Sequence, residues 1–140
     1  MMGRVVVEVT LENLEDLWAV RRGALAPEQV RRVVVTDALV DTGATLLSLP
    51  TRVIKELGLQ SVSTKRVTSS TGVGEAKLYD TVRLTLQGRS CGMDVIEVPD
   101  SVPVLIGQIP LEHLDFTIDM RSRTLVGNPA HGGEHVYELF

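Results

Sequence analysis

Leu39-Val40-Asp41-Thr42-Gly43-Ala44 is the stretch of sequence on which the interpretation of this chain depends. The residues before it, 30–40, are rich in β-branched side chains and predict a strand that is buried on both faces. A carboxylate at the end of such a strand, beside a glycine that can bend the backbone, is in an unusual environment. The tripeptide Asp-Thr-Gly alone occurs by chance in roughly a few per cent of chains of this length, so a solvated turn aspartate is an alternative for the motif in isolation.

Regular elements follow this stretch along the chain. Pro50 suits the first turn of a helix, the apolar residues after it have helical spacing, and Gly58 can end the helix. Two extended runs come next, at 62–68 and 75–86, and the segment Ser69–Gly74 between them contains two glycines. The sequence therefore predicts one short helix and then a hairpin whose tip can bend and move.

The rest of the chain is predicted to be mostly β structure. A period of two predicts a first strand, and the segment after it is predicted to be irregular, with a turn of helix near Trp18. A second hairpin is predicted to turn at 87–92, with Cys91 inside the turn. The other predicted segments are strand 5–11, irregular segment 12–28, strand 93–98, strand 104–107, helical turn 110–114, strands 116–119 and 124–126, and terminal strand 135–140. The prediction is a single all-β domain, residues 1–140, with one or two short helices.

Composition and charge limit the possible functions. The 140 residues are 44% hydrophobic and 23% charged, which is typical of a folded domain and excludes a disordered chain. A net charge of −4, with Lys and Arg scattered, argues against nucleic acid as a partner. The apolar run Val5–Val7 ends at Glu8 and is too short for a secretory signal or a membrane span, so we expect a cytoplasmic protein. The single Cys91 cannot form an intrachain disulfide.

Three features together resemble the retropepsin-like aspartic proteases. They are Leu39-Val40-Asp41-Thr42-Gly43-Ala44, the glycine-containing hairpin after it, and Leu105-Ile106-Gly107 before a short helix. The pattern of that family is two apolar residues before Asp-Thr-Gly-Ala, a flap hairpin, and then two apolar residues and a glycine. The resemblance covers approximately residues 33–126. It implies a closed, barrel-type β domain that forms a homodimer and hydrolyses peptide bonds as an aspartic endopeptidase.

The chemistry explains why a single Asp-Thr-Gly implies two chains. Hydrolysis by a carboxylate pair needs one acid to protonate the peptide carbonyl while its ionised partner takes a proton from water. Two unit charges about 4 Å apart repel by roughly 4 kcal/mol at an effective dielectric constant near 20, so a close pair keeps one proton. The chain has no second Asp-Thr-Gly or Asp-Ser-Gly. The partner is therefore expected to be Asp41 of another copy, across a twofold axis, and no metal or cofactor is expected.

The resemblance also implies a role for each matching residue. Catalysis is assigned to Asp41, to Thr42, which would hydrogen-bond across the axis, and to Gly43, which lets the substrate backbone approach. Substrate contacts are assigned to the next two residues and to the tip of the flap: Ala44, Thr45, Ser70, Thr71, Gly72, Val73 and Gly74. Support beneath the catalytic loop is assigned to Leu105, Ile106 and Gly107. Family members often have an acid and an arginine where this chain has Thr45 and Gln108, which indicates a changed support contact.

Two other interpretations compete with an aspartic protease. The first is a non-catalytic retropepsin-like module that dimerises or binds peptides. The second is a zinc peptidase, because His131-Gly-Gly-Glu134-His135 fits the string H-x-x-E-H. That motif needs both histidines on one helical face, whereas Pro129 and the two glycines disfavour a helix. A polar turn before the terminal strand is therefore the favoured interpretation of this segment.

Overall fold

Nine strands and three short helices account for most of residues 4–139, which are the residues that the computed structural model describes. The strands are β1 Val6–Asn13, β2 Arg32–Val40, β3 Leu47–Pro50, β4 Ser61–Ser69, β5 Gly72–Leu86, β6 Arg89–Val98, β7 Leu105–Ile106, β8 Phe116–Asp119 and β9 Thr124–Gly127. The helices are α1 Leu14–Arg21, α2 Thr51–Leu57 and α3 Gln108–His113, and 3-10 turns lie at Pro27–Gln29 and Pro129–His131.

The main sheet closes into a ring. Its strand order is β1-β2-β7-β3-β6-β5-β4, and an additional pairing of β1 with β5 joins the ends of the ring and leaves β4 outside it. Alternate residues of these strands turn inward and form one apolar core. Its most deeply buried members include Leu11, Leu47, Leu84, Val95 and Ile106. The prediction of an all-β domain with a closed sheet is confirmed.

The two-residue strand β7 determines where the sequence motifs meet. It pairs in parallel with the end of β2 through Leu39 and Leu105, and antiparallel with the start of β3 through Leu47 and Ile106. Consecutive strands β2 and β3 therefore lie on opposite sides of β7. The loop 41–46 that connects them must cross the end of β7, which brings the Asp-Thr-Gly segment next to Gly107.

Helix α2 agrees with the sequence prediction, whereas α1 is longer than predicted. Helix α2 follows Pro50 and ends at Gly58, whose φ of 64° is in the left-handed region that favours glycine. The turn of helix predicted near Trp18 is part of α1, which has two turns and begins within the segment predicted to be mostly irregular. Asn13 caps this helix by accepting a hydrogen bond from Asp16 N, and its side-chain amide donates to Leu57 O at 2.8 Å. None of the helices in the described part of the chain is long and apolar enough to cross a membrane.

Three predictions about local structure are wrong. In β2, only Ala38 is buried and Val34 is 54% exposed, because a strand of a closed ring turns one face to the core and the other outward. Cys91 is buried within β6, because the second hairpin needs only Gln87 and Gly88, both with positive φ, to turn. Residues 135–139 form no strand, and Phe140, the last residue of that prediction, lies outside the described residues.

Side-chain hydrogen bonds, instead of strand pairing, attach the C-terminal segment to the body of the domain. His131 Nδ1 lies 2.6 Å from Asp115 Oδ2, and His131 Nε2 lies 2.7 Å from Glu138 Oε1. Asp115 also accepts hydrogen bonds from Asn128 Nδ2 and Val136 N. The contacts with Glu138 and Asp115 raise the pKa of His131, and the hydrogen bonds to Asp115, foremost that of His131, lower the pKa of Asp115 to about 2. The segment is therefore held by a histidine between two carboxylates, and these contacts become ion pairs when the imidazole is protonated.

This arrangement predicts a pH-dependent contribution to stability. Because the pKa of His131 is raised in the folded state, its contribution is fully present below the ordinary imidazole value of about 6.5 and is lost as the pH rises through the folded-state value. The contribution of Asp115, whose pKa is lowered, is present above about pH 4 and is lost as the pH falls towards 2. We expect His131→Gln to lower the urea midpoint more at about pH 5 than at about pH 9.

A matched control is His135→Gln, because His135 Nε2 contacts the carbonyl oxygen of His113 and forms no ion pair within residues 4–139. Its effect on the urea midpoint should be the same at both pH values. An effect of His131→Gln that is equally large at both pH values would show that the histidine acts by packing alone.

Candidate active site

The Asp41 carboxylate is fixed by its own loop. Asp41 N donates to Ile106 O at 2.9 Å, which anchors the residue to β7. Gly43 N donates to Asp41 Oδ1 at 2.9 Å, and Ala44 N donates to Asp41 O at 3.1 Å. The side chain is half-buried, and its second oxygen, Oδ2, accepts no hydrogen bond from any residue in the range 4–139. The site therefore presents one oriented carboxylate with one oxygen available to a water or a substrate.

The start of α3 holds the rest of this loop. Gly107 N, Gln108 N and Ile109 N donate to the carbonyl oxygens of Leu46, Ala44 and Thr45, at 3.0, 2.8 and 3.0 Å. The first N–H groups of a helix have no partner inside the helix. Here they bind three consecutive carbonyl groups of the loop, so both sets of backbone groups are satisfied and the loop is held against α3.

Gly107 is required for this close contact. A Cβ placed on Gly107 would lie 2.7 Å from Ala44 O and 2.8 Å from the carbonyl carbon of Thr45, and would also collide with Leu46 O. The neighbouring Ile106 is fully buried and Leu105 is half-buried. Ile106 and Gly107 are hydrogen-bonded to the loop that carries Asp41, through Ile106 O and Gly107 N, whereas Leu105 pairs with Leu39 and Ser48 on the flanking strands. The support role of the three residues stays a prediction.

Thr45 and Gln108, which differ from the family pattern, form no side-chain hydrogen bond with each other. Thr45 is exposed, and Gln108 Nε2 donates to Glu112 Oε1 at 2.9 Å. Backbone groups connect this part of the loop to α3, through Ile109 N and Thr45 O. A main-chain hydrogen bond thus connects the loop to the helix at the place where the family pattern suggests an ion pair.

A cleft of about 650 Å³ separates the loop from the β4–β5 hairpin. Of the residues predicted to contact substrate, Ala44 and Thr45 line this cleft, together with Gly43 from the predicted catalytic set and hairpin residues on both sides of the tip. The predicted tip residues, Ser70 to Gly74, do not line it. They lie further out, where Ser69 pairs with Gly72 and only Ser70 and Thr71 form the turn. In this arrangement the tip is exposed and extends beyond the cleft.

Sequence reasoning did not identify the residues that form the cleft walls. Those on four strands are Ser48, Lys65, Arg66, Val67, Thr68, Ser69, Glu75, Ala76, Leu78, Ile96, Glu97 and Val98. The alternation of side chains along β4 and β5 was the available signal, because partners such as Lys65 and Ala76 share one face of the hairpin. The cross-strand partners on β3 and β6 could not be derived from that alternation.

Three other ionisable side chains, Glu97, Tyr79 and Cys91, are hydrogen-bonded or buried. Glu97 accepts hydrogen bonds from Thr51 Oγ1 at 2.6 Å and from Tyr79 Oη at 2.9 Å. Burial and the adjacent carboxylate raise the pKa of Tyr79, which keeps the phenol protonated as a donor. Burial also raises the pKa of the Cys91 thiol to about 11, so the nucleophilic thiolate is not formed near neutral pH.

The H-x-x-E-H segment does not have the geometry of a zinc peptidase. Only a 3-10 turn, Pro129–His131, lies near it, and both nitrogens of His131 are occupied by Asp115 and Glu138. His135 contacts the carbonyl oxygen of His113. The two imidazoles therefore do not share one helical face as that motif requires.

Comparison with known proteins agrees with this geometry. A family model described as "Aspartyl protease" matches residues 29–109, which is more than half of the chain. The matched range begins just before β2 and ends within α3, so it contains the Asp41 loop, the cleft hairpin and Gly107. A search of curated proteins finds no match to this sequence.

The close contact at Gly107 gives a prediction. Gly107→Ala should lower the free energy of unfolding by about 1–3 kcal/mol, because the added methyl group must push the loop carbonyls away from α3. Urea denaturation followed by circular dichroism measures this effect. The matched control is Gly74→Ala, because a Cβ at Gly74 meets no atom within 4 Å, and its effect should stay within about 1 kcal/mol. Equal stability of Gly107→Ala and wild type would contradict the proposed role.

Proposed function

The chain belongs to the aspartyl protease family whose model matches residues 29–109, and from this we propose that it is a homodimeric aspartic endopeptidase. Its active site would contain Asp41 from each of two copies, with one water bound between them. The substrate would be an extended peptide or protein segment lying in the cleft between the Asp41 loop and the β4–β5 hairpin.

One observation carries this proposal. Asp41 lies at the surface of the single chain with one carboxylate oxygen unoccupied, and no other carboxylate hydrogen-bonds to it within residues 4–139. A family that hydrolyses peptides with a pair of carboxylates needs a second acid at this point. A twofold axis beside Asp41 would supply it, because a symmetric contact places the same residue of both copies at the axis. Thr42, which is exposed beside Asp41, would then lie next to its own copy.

The proposed reaction needs no group besides the two carboxylates and water. The ionised carboxylate takes a proton from the water as the water oxygen attacks the peptide carbonyl carbon. The protonated carboxylate gives its proton to the carbonyl oxygen, which forms a tetrahedral diol. A proton then moves to the peptide nitrogen as the C–N bond breaks, and the two products are a carboxylic acid and an amine.

The substrate backbone would be bound in an extended conformation. Gly43 lies at the mouth of the cleft, where the absence of a side chain leaves room for a second backbone. Pairing of the peptide with the hairpin and with strand edges near Gly43 would be strand addition, in which main-chain hydrogen bonds supply affinity. Closure of the hairpin, including Ser70 to Gly74, over the peptide would exclude water from the carboxylates.

Replacement of Asp41 tests catalysis directly. We expect Asp41→Asn to lower kcat/KM on a diverse peptide library by at least about a thousandfold, because the amide cannot take a proton from water. The matched control is Asp37→Asn, since Asp37 is an exposed acid on the same strand, β2, and its loss should leave kcat/KM unchanged. A folded, dimeric wild type that cleaves no peptide would support the non-catalytic module, and chelator-sensitive cleavage that survives Asp41→Asn would support a metallopeptidase.

A mixing experiment tests whether one site uses two chains. Addition of an equal amount of the Asp41→Asn chain to a fixed amount of wild type should halve the activity, because random pairing leaves about one quarter of all dimers with two aspartates. A large excess of the variant should nearly abolish activity. Activity that does not change when the variant is added, under conditions in which subunits exchange, would show that one chain suffices.

The pH dependence of kcat/KM gives a further prediction. The rate should fall at low pH, where both carboxylates are protonated, and at high pH, where both are ionised, so the profile should be bell-shaped with a maximum below neutrality. Initial rates on one peptide between about pH 3 and pH 9 measure it. A rate that increases steadily into the alkaline range would contradict the carboxylate-pair mechanism.

A further inference from the structure

One polar side chain in the cleft floor has no role in the fold. Ser48 lies on β3 between Leu47 and Leu49, both of which are fully buried in the core, so alternation turns Ser48 to the opposite, cleft-facing side. The residue is only 7% exposed, yet its hydroxyl makes no hydrogen bond to the described part of the chain. The oxygen is not sealed from solvent either, since no fully buried side-chain polar atom lacks a partner within residues 4–139. Its hydroxyl therefore opens into the cleft.

One lysine, Lys65, lines the same cleft from the β4–β5 hairpin. Lys65 pairs in register with Ala76, and this face of the hairpin also carries Val67 and Leu78, all of which line the cleft. Lys65 is exposed and forms no ion pair with any residue from 4 to 139. The other lysine of the hairpin, Lys77, pairs in register with Thr64 on the outer face.

The two acidic residues that line the cleft, Glu75 and Glu97, form no ion pair with Lys65. Glu75 pairs in register with Arg66, and both also line the cleft, but strand alternation turns their side chains to the face of the hairpin opposite to that of Lys65. Glu97 is next to Ile96 in sequence but faces the other side of β6, where Thr51 and Tyr79 hold its carboxylate. The rest of the lining on the cleft side is mostly apolar, including Ala44, Val67, Ala76, Leu78, Ile96 and Val98. The inward face of the cleft thus carries the Lys65 ammonium group and the Ser48 hydroxyl, and neither has a side-chain partner within residues 4–139; other polar residues, Thr45, Arg66, Thr68 and Glu75, also line the cleft.

We propose that Ser48 and Lys65 form a specificity subsite for an acidic side chain of the substrate, next to the scissile bond. The inference rests on the proposed function, since it places a peptide in the cleft that begins at Gly43 and Ala44. A glutamate carboxylate would accept charge-assisted hydrogen bonds from Lys65 Nζ and from the Ser48 hydroxyl, and such bonds are stronger than those of a neutral amide. The small side chain of Ser48 leaves space for the incoming group at the cleft floor.

Paired peptides test this subsite. Each pair is identical except for Glu or Gln at one position, and the position is scanned across both sides of the bond that wild type cleaves. At about pH 6, where glutamate is ionised, we expect a preference for Glu of about tenfold in kcat/KM at one position near the bond. Lys65→Met should reduce this ratio to near one, Lys65→Glu should reverse it, and Ser48→Ala should reduce it partly.

Lys77→Met is the matched control, because it removes the same charge from the outer face of the same hairpin and should keep the full preference for Glu. The preference should also weaken as salt is added, which a purely steric effect would not do. A Glu-to-Gln ratio near one at every position, or a ratio that Lys65→Met leaves unchanged, would overturn the subsite while cleavage itself still supports the protease.

If no cleavage is found, a peptide-binding measurement tests the acidic-side-chain subsite separately from the proposed protease activity. The Asp41→Asn chain is then titrated with fluorescent peptides that carry Glu or Gln, and anisotropy gives the two affinities. Tighter binding of the Glu peptide that depends on Lys65 and not on Lys77 would support the subsite without catalysis. Equal affinities for the two peptides would overturn it.

Discussion

Three main-chain hydrogen bonds, from Gly107 and the first two residues of α3 to carbonyl oxygens of loop 41–46, hold the loop that carries Asp41 in place. They depend on the short strand β7, which lies between β2 and β3 and forces the loop to cross its end. They also depend on Gly107, since any side chain at that residue would collide with the loop carbonyls. In the proposed dimer such a rigid support would matter, because a small displacement of the loop would separate the two Asp41 carboxylates.

Closure of the sheet has a second consequence, which concerns the two faces of each strand. One face of the ring contributes to the core, so the side chains of β3, β4, β5 and β6 that point the other way are free to form the cleft. Leu47 and Leu49 stabilise the fold, whereas Ser48 between them opens into the cleft. The same rule explains why β2 is only partly buried in a single chain.

The C-terminal segment is attached to the domain by a different kind of interaction. A histidine between two carboxylates holds residues 131–138, and Arg89 adds hydrogen bonds to the carbonyl oxygens of Leu114, Asp115 and Gly133. These contacts take the place of the terminal strand that the sequence predicted. Electrostatic attachment depends on pH, whereas main-chain pairing does not, so the environment can affect this segment without affecting the ring.

The sequence by itself determined the fold class, the position of the Asp-Thr-Gly loop after β2, helix α2 with its Gly58 cap, and the hairpin that borders the cleft. These features are local or carried by short motifs, because a period of two, a helix cap or a glycine between strands acts over a few residues. The length of α1, the exposure of β2 and the location of Cys91 were not accessible in this way. They depend on which strands become neighbours.

Only the tertiary structure decided which side chains line the cleft. Ser48 and Lys65 lie on different strands that are not adjacent in the sheet, and the sequence gives no rule for bringing them to one cleft. The strand order β7-β3-β6-β5-β4 brings these residues to the same cleft. Alternation along a strand shows which residues share a face, but only the closed sheet determines which face points to the core.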